Sequence, residues 1–242
     1  ASGSIPLRPD QLLAANTATG LQHNYLAKSG GDVLPRFRGA LDDVRFYGTA
    51  LSAGDIAAMQ PATSVSTAGT LYVDLRATDA SAGEATWTNN GTIGDFTRTG
   101  TPTKTTVANV PAVQFNGTNQ AYTGPNSVAD IDGGSDRTIE VWAYNPALAE
   151  EETTVSWAYR GGSPDGSHMA FNFGSHAVWG AATHWGGGYD TGWGGSAPAA
   201  GGWRHLVYTY DGGTTVRIYV DGTLTNTRTL NGALATKASQ PI

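Results

Sequence analysis

The sequence predicts an all-β protein built from antiparallel sheets, and three observations carry that prediction. Residues 213–221 alternate, with Val216, Ile218 and Val220 on one face and Arg217 and Tyr219 on the other. That period of two marks a half-buried antiparallel strand. Asp-Gly pairs stand at 211–212 and 221–222, where they supply the positive φ that tight hairpin turns need. A composition of 39% hydrophobic residues, with seven Trp, ten Tyr and six Phe in 242 residues, is enough to fill one large sandwich or two small domains.

The elements follow in chain order. Gln11–Ala15, Gln22–Leu26 and Phe37–Tyr47 are the candidate strands of the first 60 residues. Ala53–Met59 is the expected helix: Ser52 can cap it, Asp55 places a negative charge in its first turn, and Pro61 ends it. Residues 61–69 are a linker of small and turn-forming residues, separating segment 1–60 from segment 70–242. Leu71–Arg76, Ala112–Phe115, Arg137–Tyr144, Thr153–Tyr159, His168–Phe173 and Ala177–Ala182 are strand candidates, and Trp142 and Trp157 within them are expected in the core. Trp203–Tyr210, residues 213–221 and Thr223–Leu230 form a three-strand meander. Residues 161–166 and 186–202 are glycine-rich loops. Ser239-Gln240-Pro241-Ile242 weakly repeats Ser4-Ile5-Pro6-Leu7.

Charge and composition exclude several functions. A net charge of −6, with Lys only at 28, 104 and 237, leaves no basic run to release counterions from a nucleic acid or to bind an anionic membrane. The lack of Cys removes disulfides and thiolate metal sites. No apolar run is long enough to insert in a bilayer as a helix. The chain starts at Ala1 rather than Met and is expected to be processed, or excised from something longer.

Five motifs carry a family resemblance. They are Asp42-Asp43-Val44-Arg45-Phe46-Tyr47 with Ala50-Leu51-Ser52, Val113–Asn119, Arg137–Trp142, Trp203–Val207 and Tyr219–Gly222. Together they resemble the laminin-G-like branch of the concanavalin-A-like jelly rolls. The resemblance implies a two-sheet antiparallel jelly-roll sandwich with one short helix. It also implies that residues 1–60 are the C-terminal strands of such a module and 70–242 its N-terminal and central part. The tail would then complete the sandwich of its own chain or of a neighbouring, identical subunit by strand exchange, with self-completion favoured. Members of this family often hold one Ca²⁺, for which Asp42, Asp43, Asn116 and Asn119 are the candidate ligands.

Catalysis finds little support. Catalytic relatives of the fold present Glu-x-Asp-x-x-Glu along a strand, and here Glu140 stands without the partners that sugar-bond hydrolysis uses. Glu150, Glu151 and Glu152 read as a solvated loop, and Asp130, Asp132 and Asp136 as turn residues. There is no Gly-x-Ser-x-Gly, and none of His23, His168, His176, His184 and His205 has metalloprotease spacing. Binding has more support. Trp157, Tyr159, Arg160, His168, Trp179, His184, Trp185, Tyr189 and Trp193 cluster between 157 and 193, the last of them among glycines. Sugar rings stack on indole and phenol faces while their hydroxyls bond to polar side chains. Trp185, Tyr189, Asp190 and Trp193, with His184 and Trp179, are the expected contact patch for a polysaccharide or glycoconjugate. The competing reading has these Trp folding over to cap the sandwich. The expected function is a non-catalytic carbohydrate-binding or adhesion module of a secreted or cell-surface protein. The alternative is a structural subunit of a filament or surface layer.

Overall fold

The computed structural model describes residues 69–80, 85–158 and 166–242. The chain divides into two compact units, Ala1–Ala68 and Gly69–Ile242. The first lies outside the described residues, and with it the expected helix Ala53–Met59, the strands before it, and Asp42 and Asp43. Within the second, the strands are β1 Leu75–Ala80, β2 Thr86–Asn89, β3 Phe96–Thr99, β4 Thr103–Val107, β5 Val110–Gln114, β6 Ala121–Thr123 and β7 Arg137–Tyr144. They continue as β8 Thr153–Trp157, β9 Met169–Asn172, β10 Thr183–His184, β11 Trp203–Tyr210, β12 Thr215–Val220 and β13 Thr223–Thr229. Helical structure among the described residues is confined to two 3-10 turns, Ala129–Ile131 and Gly187–Tyr189.

Every pairing between these described strands is antiparallel. The meander β11–β12–β13 forms as its sequence predicts. Asp221 and Gly222 turn between Val220 and Thr223 at φ of 50° and 77°, a two-residue turn whose twist suits the flanking strands. Asp211 shapes the preceding turn by accepting the N–H groups of Gly213 and Thr215 on Oδ1. β7 pairs with β11 along its whole length, giving the sheet order β13-β12-β11-β7. A second sheet has the order β10-β9-β8, and the remaining strands form the sheet β1-β2-β3-β6 and the hairpin β4-β5.

The core lies between the first two sheets. Leu206, Tyr208, Tyr210, Val216 and Ile218 meet Trp157, Met169 and Phe171, and Phe173, Trp185, Trp193, Leu230 and Leu234 fill in from connecting segments. Phe171 and Trp185 lie 5.9 and 5.6 Å from the Tyr208 ring. A buried cation is built into this core. The Arg137 guanidinium donates to Tyr208 Oη, Thr236 Oγ1 and the carbonyls of Ile131, Gly133 and Ser135, and it sits over the rings of Trp157 and Tyr210. Burial pushes the Tyr208 phenol above its ordinary pKa. The C-terminal segment ties down the same end. Thr236 bridges Gly133, and Gln240 and Ile242 pair with Ser127, Gly124 and Pro125.

Three expectations differ from the structure. Leu71–Tyr72–Val73–Asp74 is not part of a strand. The Asn89 side chain accepts from the Asp74 N–H and donates to the Tyr72 carbonyl, and the 90–93 loop rather than a strand supplies the N–H groups for the Leu71, Tyr72 and Asp74 carbonyls. Ala177–Ala182 is a series of turns, because Gly180 and Ala181 sit at φ of 81° and 49°. Trp142 is 63% exposed rather than in the core. Ile139, Val141 and Ala143 take the inward positions of β7, so strand alternation sends Glu140, Trp142 and Tyr144 to the other face.

Candidate functional site

The outer face of β10-β9-β8 is concave. All four residues of β9 are buried, but only Met169 and Phe171 belong to the core; Ala170 and Asn172 face the opposite way. In register, Ala170 lies between Ser156 of β8 and His184 of β10, and Asn172 lies beside Thr153. A pocket of about 300 Å³ opens over this row, lined by Glu151, Thr153, Ser156, Ala158, His168, Ala170, Asn172 and His184. Small residues along the middle of the sheet leave the space, and longer polar side chains wall it.

His184 sits at the junction of that wall. Its Nδ1 is 3.9 Å from Glu151 Oε2 and its Nε2 is 3.9 Å from Asp190 Oδ1. The rings of His168 and Trp179 meet it edge-on at 5.2 and 5.4 Å. His176 continues the cluster, 5.2 Å from the Trp179 ring, with Nε2 4.0 Å from Glu151 Oε1. The Thr153 hydroxyl donates to Asn172 Oδ1 at 2.9 Å, which fixes the amide's orientation. Asn172 Nδ2 is buried with no hydrogen-bond acceptor, in a residue only 1% exposed. The loop carrying Glu151 is held close by Gly174: a Cβ there would lie 2.6 Å from the Glu152 nitrogen. Glu152 is part of the scaffold, its Oε2 accepting from Asn145 Nδ2 and the Ala149 N–H.

The residues expected to form a contact patch separate into two groups. His184 lines the pocket, with Trp179 and Asp190 beside it. Asp190 Oδ1 also accepts the N–H groups of Trp185 and Gly186, so this carboxylate shapes the turn. Tyr189 is half-buried against the core. Trp185 and Trp193 are core residues, 1% and 2% exposed, and the expectation of an exposed patch is corrected for both. Trp185 Nε1 meets Met169 Sδ at 2.9 Å, and Trp193 Nε1 donates to the Gly174 carbonyl at 2.9 Å. The glycines around them mark tight backbone approach. A Cβ at Gly192 would lie 2.3 Å from the Trp179 carbonyl oxygen, and one at Gly194 would lie 2.1 Å from that of Thr225.

Sequence reasoning missed Glu151, Asn172 and the strand positions beside them. The available signal was the spacing His168, Ala170, Asn172, one face of a strand whose other face holds Met169, Phe171 and Phe173. Of the expected Ca²⁺ ligands, Asp42 and Asp43 lie outside the described residues, and Asn116 and Asn119 lie in one turn. Asn116 Oδ1 accepts the N–H groups of Thr118 and Asn119, and Asn116 Nδ2 donates to Asn119 Oδ1, so both amides serve their own turn. Among the described residues no group of three or more His, Asp or Glu is placed to hold a metal ion.

The outer face of β13-β12-β11-β7 carries a second cluster. Trp142 stacks on His205 at 4.8 Å and 25°, and His205 Nε2 lies 2.8 Å from Glu140 Oε1. Asp221 accepts the His205 N–H on one oxygen and pairs with Arg204 on the other. Burial raises the Asp221 pKa, but the His205 N–H and the Arg204 charge outweigh it and hold the carboxyl below its usual value.

Among solved structures, the chain is similar to domain 4 of AbnA, an extracellular GH43 arabinanase from Geobacillus stearothermophilus determined in complex with arabinotriose. The identity is 15%, the match covers 72% of this chain and 82% of that one, and the TM-score is 0.47. No curated protein sequence matches the chain. The family model of the concanavalin A-like lectin/glucanases matches residues 115–242, from the end of β5 through the meander and the C-terminal segment. That match takes in more than half of the chain, including both sheets of the sandwich, and the protein belongs to the concanavalin A-like lectin/glucanase superfamily.

Proposed function

We propose that this protein is a non-catalytic carbohydrate-binding module whose ligand site is the pocket over β10-β9-β8. The observation that carries the reading is the pocket's chemistry. Its volume of about 300 Å³ is at the small end of the range of ligand sites. Its walls combine an orphaned amide donor, a carboxylate acceptor, two hydroxyls and two imidazoles, with the Trp179 ring beside them. Sugar hydroxyls both donate and accept, and such a mixed wall suits them. Membership of a superfamily of lectins and glucanases is consistent with a sugar ligand. The non-catalytic part of the proposal is supported by the carboxylates. Hydrolysis of a glycosidic bond ordinarily uses two, set across the bond. Among the described lining residues Glu151 is the one carboxylate, and Asp190 behind His184 is engaged by two backbone N–H groups.

The test is retention on a glycan array by the wild-type chain and by His184→Ala. The expected result is retention of at least one glycan by the wild type, reduced about tenfold or more in the variant, with melting temperatures that stay close. A wild-type chain that retains no glycan overturns the proposal.

A further inference from the structure

Resting on the pocket over β10-β9-β8 as the sugar site, we infer that it selects uncharged sugars and turns away uronic acids, sialic acids and sulfated glycans. The inference comes from pairing Asn172 with Glu151. Asn172 has its Oδ1 occupied by the Thr153 hydroxyl, and its Nδ2 is buried without an acceptor. A ligand that fills the pocket must therefore bring an acceptor oxygen to Nδ2, since a buried donor left unpaired weakens the complex. Glu151, on the wall of the same pocket, favours the opposite: carboxylate oxygens accept, so a ligand that donates suits it. Neighbouring hydroxyls on one sugar meet both requirements. A carboxylate or sulfate meets the Asn172 requirement alone and brings a second negative charge next to Glu151.

The charged and titratable groups among the described lining residues follow the same bias, and the Arg228 guanidinium behind Asp190 is engaged by the carbonyls of Asp190 and Gly188. Glu151 and Asp190 flank His184, with His168 and His176 completing the cluster, and no Lys or Arg is among the described lining residues. Asn172 is thus the residue that orients the sugar, and Glu151 the one that sets its charge class.

The experiment compares two glycan panels at pH 7.5. One holds neutral gluco-, xylo-, arabino-, galacto- and manno-oligosaccharides; the other holds oligogalacturonates, sialylated glycans and sulfated glycans. The wild type is expected to prefer the best neutral ligand over any acidic one by tenfold or more. Glu151→Gln, which keeps the shape and removes the charge, should shrink that preference several-fold by admitting acidic ligands. Asn172→Ala should lower neutral affinity about tenfold. Should either variant fail to fold, a salt series on the wild type reads the same charge, because raised salt screens Glu151 and should lift acidic-glycan retention selectively. Acidic glycans retained as well as neutral ones would overturn the inference while leaving a sugar site in place. Retention of neither panel would overturn the sugar site and the inference together.

Discussion

The two outer faces of the sandwich differ in what they do with their aromatic residues. Over β10-β9-β8 the surface is concave and polar, because its outward positions are Ser156, Ala158, Ala170, Asn172 and His184. Its indoles, Trp157, Trp185 and Trp193, lie underneath, packed against Phe171 and Tyr208. Over β13-β12-β11-β7 the outward positions of β7 are Glu140, Trp142 and Tyr144, and Trp142 stands in solvent on the imidazole of His205. The outward indole of β7 is outside, whereas Trp157 of β8 and the two indoles in glycine-rich segments are inside. Strand alternation and backbone approach decide where an aromatic goes, and hydrophobicity alone does not.

The largest effect that tests this contrast is on stability. Trp185→Ala and Trp193→Ala each empty a fully packed position and should cost about 3–5 kcal/mol, read from the urea midpoint or the melting temperature. Trp142→Ala removes an exposed ring and should stay within about 0.5 kcal/mol of the wild type. Equal losses in all three variants would break the distinction between the faces. A Trp185→Ala variant that melts with the wild type would return that indole to the surface.

The next effect is on binding, and it asks which face meets the ligand. His184→Ala should reduce glycan retention about tenfold, the scale of about 1.4 kcal/mol, while Trp142→Ala leaves it unchanged. The reverse outcome would move the site to the Trp142, His205 and Glu140 cluster. There the exposed indole would supply stacking and Glu140 a hydrogen bond.

The sequence made the scaffold more legible than the site. β11, β12 and β13 could be seen because Asp-Gly turns join them and the inward residues of β11 and β12, Leu206, Tyr208, Tyr210, Val216 and Ile218, keep a period of two. Trp157 was assigned to the core by the same logic. Trp142 is exposed against expectation: a strand pattern does not by itself say which of its two faces is buried, and the inward face of β7 begins with a charged residue, Arg137. The pocket was harder still. Thr153 and Ser156 both line it although they differ in strand parity. The register shift between Thr153 and Val155 reconciles them, with Thr154 as the extra residue and its hydroxyl on the Phe171 carbonyl. A bulge of that kind depends on the partner strand, so β8 read alone points its residues the wrong way. Glu151 was hidden for a related reason. Its place on the wall depends on Gly174 and the 149–152 turn coming within contact, which a run of three glutamates does not signal.

The smallest effect sharpens the account of the Trp142 face through its pH dependence. Asp221 supports that face by holding the His205 N–H and the Arg204 side chain. Burial acts to raise its pKa, but those contacts prevail and the folded-state value lies below the ordinary 3.8. A carboxyl with a depressed folded-state pKa binds its proton more readily in the unfolded chain. Its contribution to stability is therefore full above the unfolded value and is lost as pH falls through the folded one. The Asp221 side chain is 44% exposed, so solvent screening limits the contribution to about a few tenths of a kcal/mol. Asp221→Asn should accordingly narrow the stability difference between pH 6 and pH 2.5 by that amount, measured by urea unfolding at each pH. Because the His184 pocket lies on the other sheet, glycan retention at pH 6 should not change. An Asp221→Asn chain that loses retention at pH 6 would show that the two faces are coupled through the sandwich, and the contrast drawn between them would no longer hold.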